Sequence, residues 1–166
     1  MPAALTEALI DDATWDAAAR ERRHEWRVAL DELIHDHHFA VEAEARLRLL
    51  VTVAPTSHIT LDLRTLDGHD FARVELPLVE LEVHLREYLD ICREMGRLDV
   101  AESSPRLEAL DIAKRLSHDE AAETIARLCR ALRPDHATCR RLFTLVVALH
   151  FDTTRLLLPH HRWARR

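Results

Sequence analysis

The residue types that acid/base or metal chemistry requires gather in the C-terminal half of the chain, at Glu108, Asp111, His118, Glu120 and His150. Carboxylates and imidazoles brought together around a helix break can form a general acid/base pair or hold a hydrolytic Zn²⁺ or Mn²⁺. We read Asp111, His118, Glu120 and His150 as the candidate catalytic set, on the expectation that the chain bends at Ser117. Their spacing is no established ligand signature. Local roles also account for much of the pattern: Ser117-His118-Asp119-Glu120 has the S-x-x-E form of a capping box, and Asp111 can pair with Lys114 or Arg115.

Arg140 and Arg141 offer a different chemistry. Guanidinium groups grip carboxylate or phosphate through paired hydrogen bonds, so a small anion or a partner's acidic group could dock there with Tyr88 nearby. The competing reading is an internal ion pair to Glu108, Asp111 or Asp135, or stems that run outward to water. In Ile34-His35-Asp36-His37-His38, a continuing helix would place Asp31, His35 and His38 on one face, enough for two or three metal ligands. Histidines near a helix C-terminus also simply complement its dipole. His160-His161 in the tail is a weaker ligand pair. Cys139 lies near a helix start beside two arginines, which predicts a lowered thiol pKa, whereas Cys92 and Cys129 read as inert packing thiols.

Composition narrows the field. The chain has 166 residues, 48% of them apolar, and a formal net charge of −6. That suits one globular domain and argues against a molecule built as a whole to bind nucleic acid. With only two glycines, no GxGxxG or GxxxxGK can be written, which removes Rossmann and P-loop chemistry. No G-x-S-x-G context exists for a serine nucleophile. Three widely spaced cysteines fit reduced thiols of a cytoplasmic protein. Neither a signal peptide nor a run of about twenty apolar residues is visible.

The elements that position these groups follow from periodicity. Residues 135–151, DHATCRRLFTLVVALHF, turn apolar in every helical direction after a polar first turn, so this helix must be wrapped by the rest of the domain. Asp135 is its expected N-cap and Pro134 ends what precedes it. A first helix is expected from Asp12 or Thr14 to about His37, and residues 3–10 admit a short strand or a frayed turn. Between Arg46 and Leu76 the period falls to two, giving three strands: Leu47, Leu49, Val51 and Val53, then Ile59, Leu61 and Leu63, then Ala72, Val74 and Leu76. Asp67-Gly68 is a strong hairpin signal between the second and third. A helix from about Val79 to Leu98 should turn Val79, Val83, Leu85, Leu89, Cys92 and Met95 to the sheet. Ser104-Pro105 opens another, and after the bend at Ser117 a further helix should run to Leu132.

RRLFTLVVALH (140–150), EALDIAKRLSHDE (108–120) and LPLVELEVHLREYLDIC (76–92) together resemble, in order and spacing, a bacterial family known as uncharacterised protein family number 0262. The resemblance spans roughly residues 20–151 and is most specific at Arg140-Arg141-Leu142-Phe143-Thr144-Leu145. It implies a compact, single-domain cytoplasmic protein and carries no catalytic residues across.

The expected architecture is thus α+β: an antiparallel meander of three strands, with room for a fourth, packed by about five helices around the central C-terminal one. Residues 1–151 form the domain and 152–166 a basic tail. The function most in keeping with these features is a cytosolic binding or regulatory module acting through protein contacts or a small anion at Arg140, Arg141 and Tyr88. The first alternative is a metal-assisted or acid/base hydrolase, and the second is nucleic-acid association through Arg155, Arg162, Arg165, Arg166 and Trp163. No cofactor is implied. Homodimerisation would cover sheet edges that a small sheet leaves bare.

Overall fold

A computed structural model describes residues 3–41, 45–54, 56–98 and 104–152. The strands β1 (Ala4–Ile10), β2 (Arg46–Ala54), β3 (His58–Thr65) and β4 (Asp70–Pro77) form one sheet in that spatial order. Its helices, among the described residues, are α1 (Asp12–Ala17), α2 (Arg20–His35), α3 (Leu78–Arg97), α4 (Ser104–Leu128) and α5 (His136–His150). The α+β class and the buried C-terminal helix follow the sequence reading.

The alternating stretches pair as an antiparallel meander, with Leu49 opposite Leu63, Val51 opposite Leu61, and Leu61 opposite Val74. Gly68 takes φ +93° at the β3–β4 turn, a backbone state that side chains with a Cβ rarely adopt. Residues 4–10 make the fourth strand, but it runs parallel to β2, so the sheet is mixed. A parallel neighbour requires a crossover connection, and α1 with α2 supplies it. His37 ties this strand down: its Nε2 accepts from Leu5 N–H at 2.9 Å, and its Nδ1 lies 3.1 Å from the Ile34 carbonyl.

Where one long first helix was expected, the chain breaks at Ala18 and Ala19, both extended. Asp11, rather than Asp12 or Thr14, is the cap: its carboxylate accepts from Thr14 N–H at 2.9 Å and from Val53 N–H at 3.2 Å. Arg23 donates to the carbonyls of Trp15 and Asp16 at 2.8 and 2.9 Å, and the Trp15 carbonyl also accepts from Ala18 N–H at 3.2 Å. Side-chain bonds thus stabilise a break that no Pro or Gly announces.

The expected bend at Ser117 is absent. α4 runs unbroken through it, with Ser117 buried and its hydroxyl without a hydrogen-bond partner. A capping box needs an extended cap residue; here Ala121, Ala122 and Ile125 just beyond are fully buried and hold the helix against its neighbours, so packing overrides the local signal. On α3, Leu78, Leu81, Leu85, Tyr88, Cys92 and Met95 face inward. Val79 and Val83, expected inside, are 76% and 61% exposed. The inward stripe starts one residue earlier because the helix begins at Leu78, directly after the last strand.

α5 lies between α2 and α4, with Phe143, Leu145, Val146 and Leu149 among its buried residues. Asp135 caps it, accepting from Thr138 N–H at 2.8 Å. Bonds from Thr138 hold the Asp135 carboxyl below its ordinary range despite partial desolvation. Removing the cap as Asp135→Ala should cost about 1 kcal/mol at neutral pH. Because the folded-state pKa lies below the unfolded value of 3.8, this contribution is complete above that value and fades as pH falls through the folded one. Parallel urea titrations should therefore show the wild-type advantage shrinking below about pH 4.

Candidate functional site

Most of α5 is buried, but Ala137, Arg140, Arg141 and Thr144 remain at least partly accessible. They fall at i, i+3, i+4 and i+7, one face of a helix. Asp111, Lys114, Arg115 and His118 repeat that spacing on α4. The two stripes line a cleft of about 620 Å³, joined by Glu32, His35 and Asp36 from the end of α2 and by Tyr88 of α3. Continuity of α4 through Ser117 is what keeps His118 on the same face as Asp111. A straight helix, not the expected bend, brings these two groups to one cleft.

The buried side of the cleft is aromatic. Tyr88, His118 and Phe143 meet edge-on, with ring centroids 5.2–5.7 Å apart. The Thr144 hydroxyl lies 3.1 Å from both the Arg140 carbonyl and His118 Nε2. A hydroxyl has one proton to give; donated to the carbonyl, it leaves the oxygen to accept from His118 Nε2–H. Burial pushes the Tyr88 phenol above its ordinary range, so this ring is a neutral wall.

The accessible side is ionic. Arg140 pairs with Asp119, which His136 Nε2 also approaches at 2.9 Å. Arg141 pairs with Asp36, and Arg115 with Asp111. The internal ion pairs anticipated for the arginines exist, although with Asp119 and Asp36 rather than Glu108, Asp111 or Asp135. Lys114 differs. Its ammonium sits 5.9 Å from the Tyr88 ring centroid and has no ion-pair partner among the described residues.

The other candidates lie elsewhere. Glu120, two residues past His118, is about 200° further round α4 and meets α3 instead. His150 lines a separate cleft with Asp11, Arg22, Trp26 and Leu149, at the far end of α5. The four proposed catalytic residues therefore do not converge. Asp31, His35 and His38 do not share a face either, because α2 ends at His35. On the sheet, Arg48 pairs with Glu7 at 2.6 Å, Arg64 with Asp70 at 3.3 Å and Arg73 with Asp62 at 3.7 Å, the cross-strand arrangement of a solvated face. His160-His161 and the basic tail lie outside the described residues.

The chain matches, over residues 3–152, the model of the family described as "Uncharacterised protein family (UPF0262)". The chain belongs to this family. A UPF0262 protein of Methylobacterium radiotolerans is 29% identical over 151 residues, covering 90% of this chain and 94% of the relative. One of Hyphomonas neptunium is 32% identical over 148 residues, covering 88% and 91%, and one of Rhodospirillum rubrum is 28% identical over 148 residues, covering 88% and 91%. No solved structure matches the chain. Among its described residues no helix is long and apolar enough to cross a membrane.

The cysteines of this UPF0262 chain are at most 1% exposed. Burial pushes the Cys129 thiol up to about 12, and burial with the Asp135 charge pushes Cys139 up to about 11. This reverses the expectation for Cys139: its thiol is fully buried beneath an exposed helix start, with the acidic cap Asp135 beside it. Cys92 shifts upward for the same first reason. A disulfide reagent at pH 8 should label essentially no thiol in the folded chain and all three in denaturant; rapid labelling of native Cys139 would contradict this.

Sequence reasoning missed Lys114 and Thr144 as cleft residues. The signal was present in the doubled i, i+3, i+4, i+7 pattern, but the supposed break at Ser117 hid half of it.

Proposed function

We propose that this UPF0262 chain is a cytosolic binding module whose α4–α5 cleft takes a small anionic ligand, a carboxylate or a phosphate. The observation that carries this reading is the Lys114 ammonium, without an ion-pair partner among the described residues, held over Tyr88 in a cleft that Arg140 and Arg141 also line. Unpaired cationic charge beside a desolvated aromatic wall favours an anion more than the same charge in open water. The carboxylates now on the two α5 arginines are accessible; Asp36 is 75% exposed. An incoming anion can displace them at little desolvation cost. Three buried free thiols suit a reducing compartment. A second copy would pair at the edge strands β1 or β4.

Support for an acid/base hydrolase is narrower, since only Asp111 and His118 of its four residues line the cleft and Asp111 is held by Arg115. The binding reading is tested by calorimetry at low salt with inorganic phosphate, citrate and a nucleoside monophosphate. At least one should bind, and Lys114→Gln or Arg140→Gln should weaken it about tenfold or more, the worth of one charge-assisted hydrogen bond. Absence of binding by all three, or equal affinity in both variants, would remove the proposal.

A further inference from the structure

We propose a second site, independent of the anion cleft: a first-row divalent cation of the zinc class held between α3 and α4 by His84, Glu87 and Glu120. His84 and Glu87 are three residues apart on α3 and share a face. Glu120 reaches them from α4, so that one ring nitrogen and one oxygen from each carboxylate all lie within 4.8 Å of one another.

The charges along this seam make the triplet unusual. Glu80 pairs with Arg127 at 2.9 Å and Glu94 pairs with Arg106, so interhelical ion pairs join α3 to α4 at either end. Between them the seam brings two carboxylates together, and neither Glu87 nor Glu120 has an ion-pair partner among the described residues. Like charges this close repel, and a divalent cation converts that repulsion into coordination.

His84 supplies a separate pointer. Its Nε2 lies 2.9 Å from Thr124 Oγ1, whereas its Nδ1 is shut off from solvent with no hydrogen-bond partner. Coordination through Nδ1 would give that nitrogen its partner and leave Thr124 as the group that orients the ring, the usual outer-shell arrangement around a ligating histidine. One imidazole with two carboxylates suits Zn²⁺, Mn²⁺ or Co²⁺ better than Mg²⁺, which prefers an all-oxygen shell. Three protein ligands leave water to complete the shell. The ion would clamp α3 to α4 midway along their contact.

The test uses the full chain, stripped with a chelator and titrated calorimetrically with Zn²⁺ and, separately, Mg²⁺. Zn²⁺ should bind at one equivalent and raise the melting temperature by several degrees, with no comparable shift from Mg²⁺. Glu87→Gln and Glu120→Gln, both at exposed positions, should leave the metal-free melting temperature the same or slightly higher, since each relieves the repulsion between the carboxylates, and weaken Zn²⁺ binding about tenfold or more each. His84→Ala should abolish the thermal shift. No heat of binding at about 100 µM Zn²⁺, a concentration at which a useful site would stabilise the fold, overturns the proposal. So does unchanged affinity in the Glu87→Gln/Glu120→Gln double variant, which would assign the ion to others of the chain's 12 histidines.

Discussion

Phe143→Ala should lower the folding free energy by about 3–5 kcal/mol and the melting temperature by roughly 10 °C for a chain of this size. Phe143 is fully buried, and its ring stands edge-on to both Tyr88 and His118 at 5.7 and 5.2 Å. Truncation removes the transfer free energy of the ring and leaves a cavity that three helices, α3, α4 and α5, would have to collapse to fill. Because α4 and α5 also carry the two stripes of the anion cleft, the variant should bind anions more weakly even where it remains folded. Phe143→Leu, which keeps most of the volume, should cost far less. Urea midpoints for the three proteins check the order. A loss under about 1 kcal/mol for alanine would mean that α5 is not wrapped as described.

The second large effect is expected at the C-terminal end of α5. Trp26 is 2% exposed and donates from Nε1 to the Ala148 carbonyl at 2.8 Å. Arg22, one turn earlier on α2, donates to the Leu149 carbonyl at 3.0 Å and lies 5.0 Å from the Trp26 ring centroid. The last carbonyls of a helix lack partners within it. α2 therefore caps α5 through an i, i+4 pair of side chains, while Asp135 caps the other end from within the same segment. Trp26→Ala should cost about 3–5 kcal/mol by loss of packing. Trp26→Phe keeps much of the packing but strands the Ala148 carbonyl, at about 1–3 kcal/mol. Equal midpoints for wild type and Trp26→Phe would show that water satisfies that carbonyl and that the cap contributes nothing.

These two residues were legible in the chain to different degrees. Phe143 sits in a segment apolar all round, and no arrangement other than burial removes so much greasy surface from water. Trp26 was visible as part of an amphipathic stripe, but its hydrogen bond spans 122 positions, and no local pattern predicts the carbonyl it meets. The strands were readable for the same reason as α5: alternation over Leu47–Val53 and Ile59–Leu63 allows one buried face and one register. Residues 4–10 were not, because a short strand's type depends on whether a neighbour exists, and that neighbour, β2, comes after the whole α1–α2 crossover.

The anion cleft divides in the same way. Arg140, Arg141 and Tyr88 were singled out by residue type, and Asp111 and His118 by chemistry. Which of them meet was settled by the path of α4. A serine, a histidine and two acids in capping-box order mark the start of a new helix when solvent surrounds them; with Ser117 and His118 buried, the same residues continue the existing one, because interrupting the ladder there would expose Ala121, Ala122 and Ile125.

Hydrophobic periodicity alone thus established the α+β class, the meander and the wrapped final helix, since burial of apolar area acts at every position and leaves a repeating mark on the chain. Pairings between distant polar groups leave no such mark: Lys114 over Tyr88, Trp26 on Ala148, Glu120 beside His84. Each depends on two helices meeting at one level and one rotation, a matter of interhelical packing that arises only once the whole domain has closed around its core.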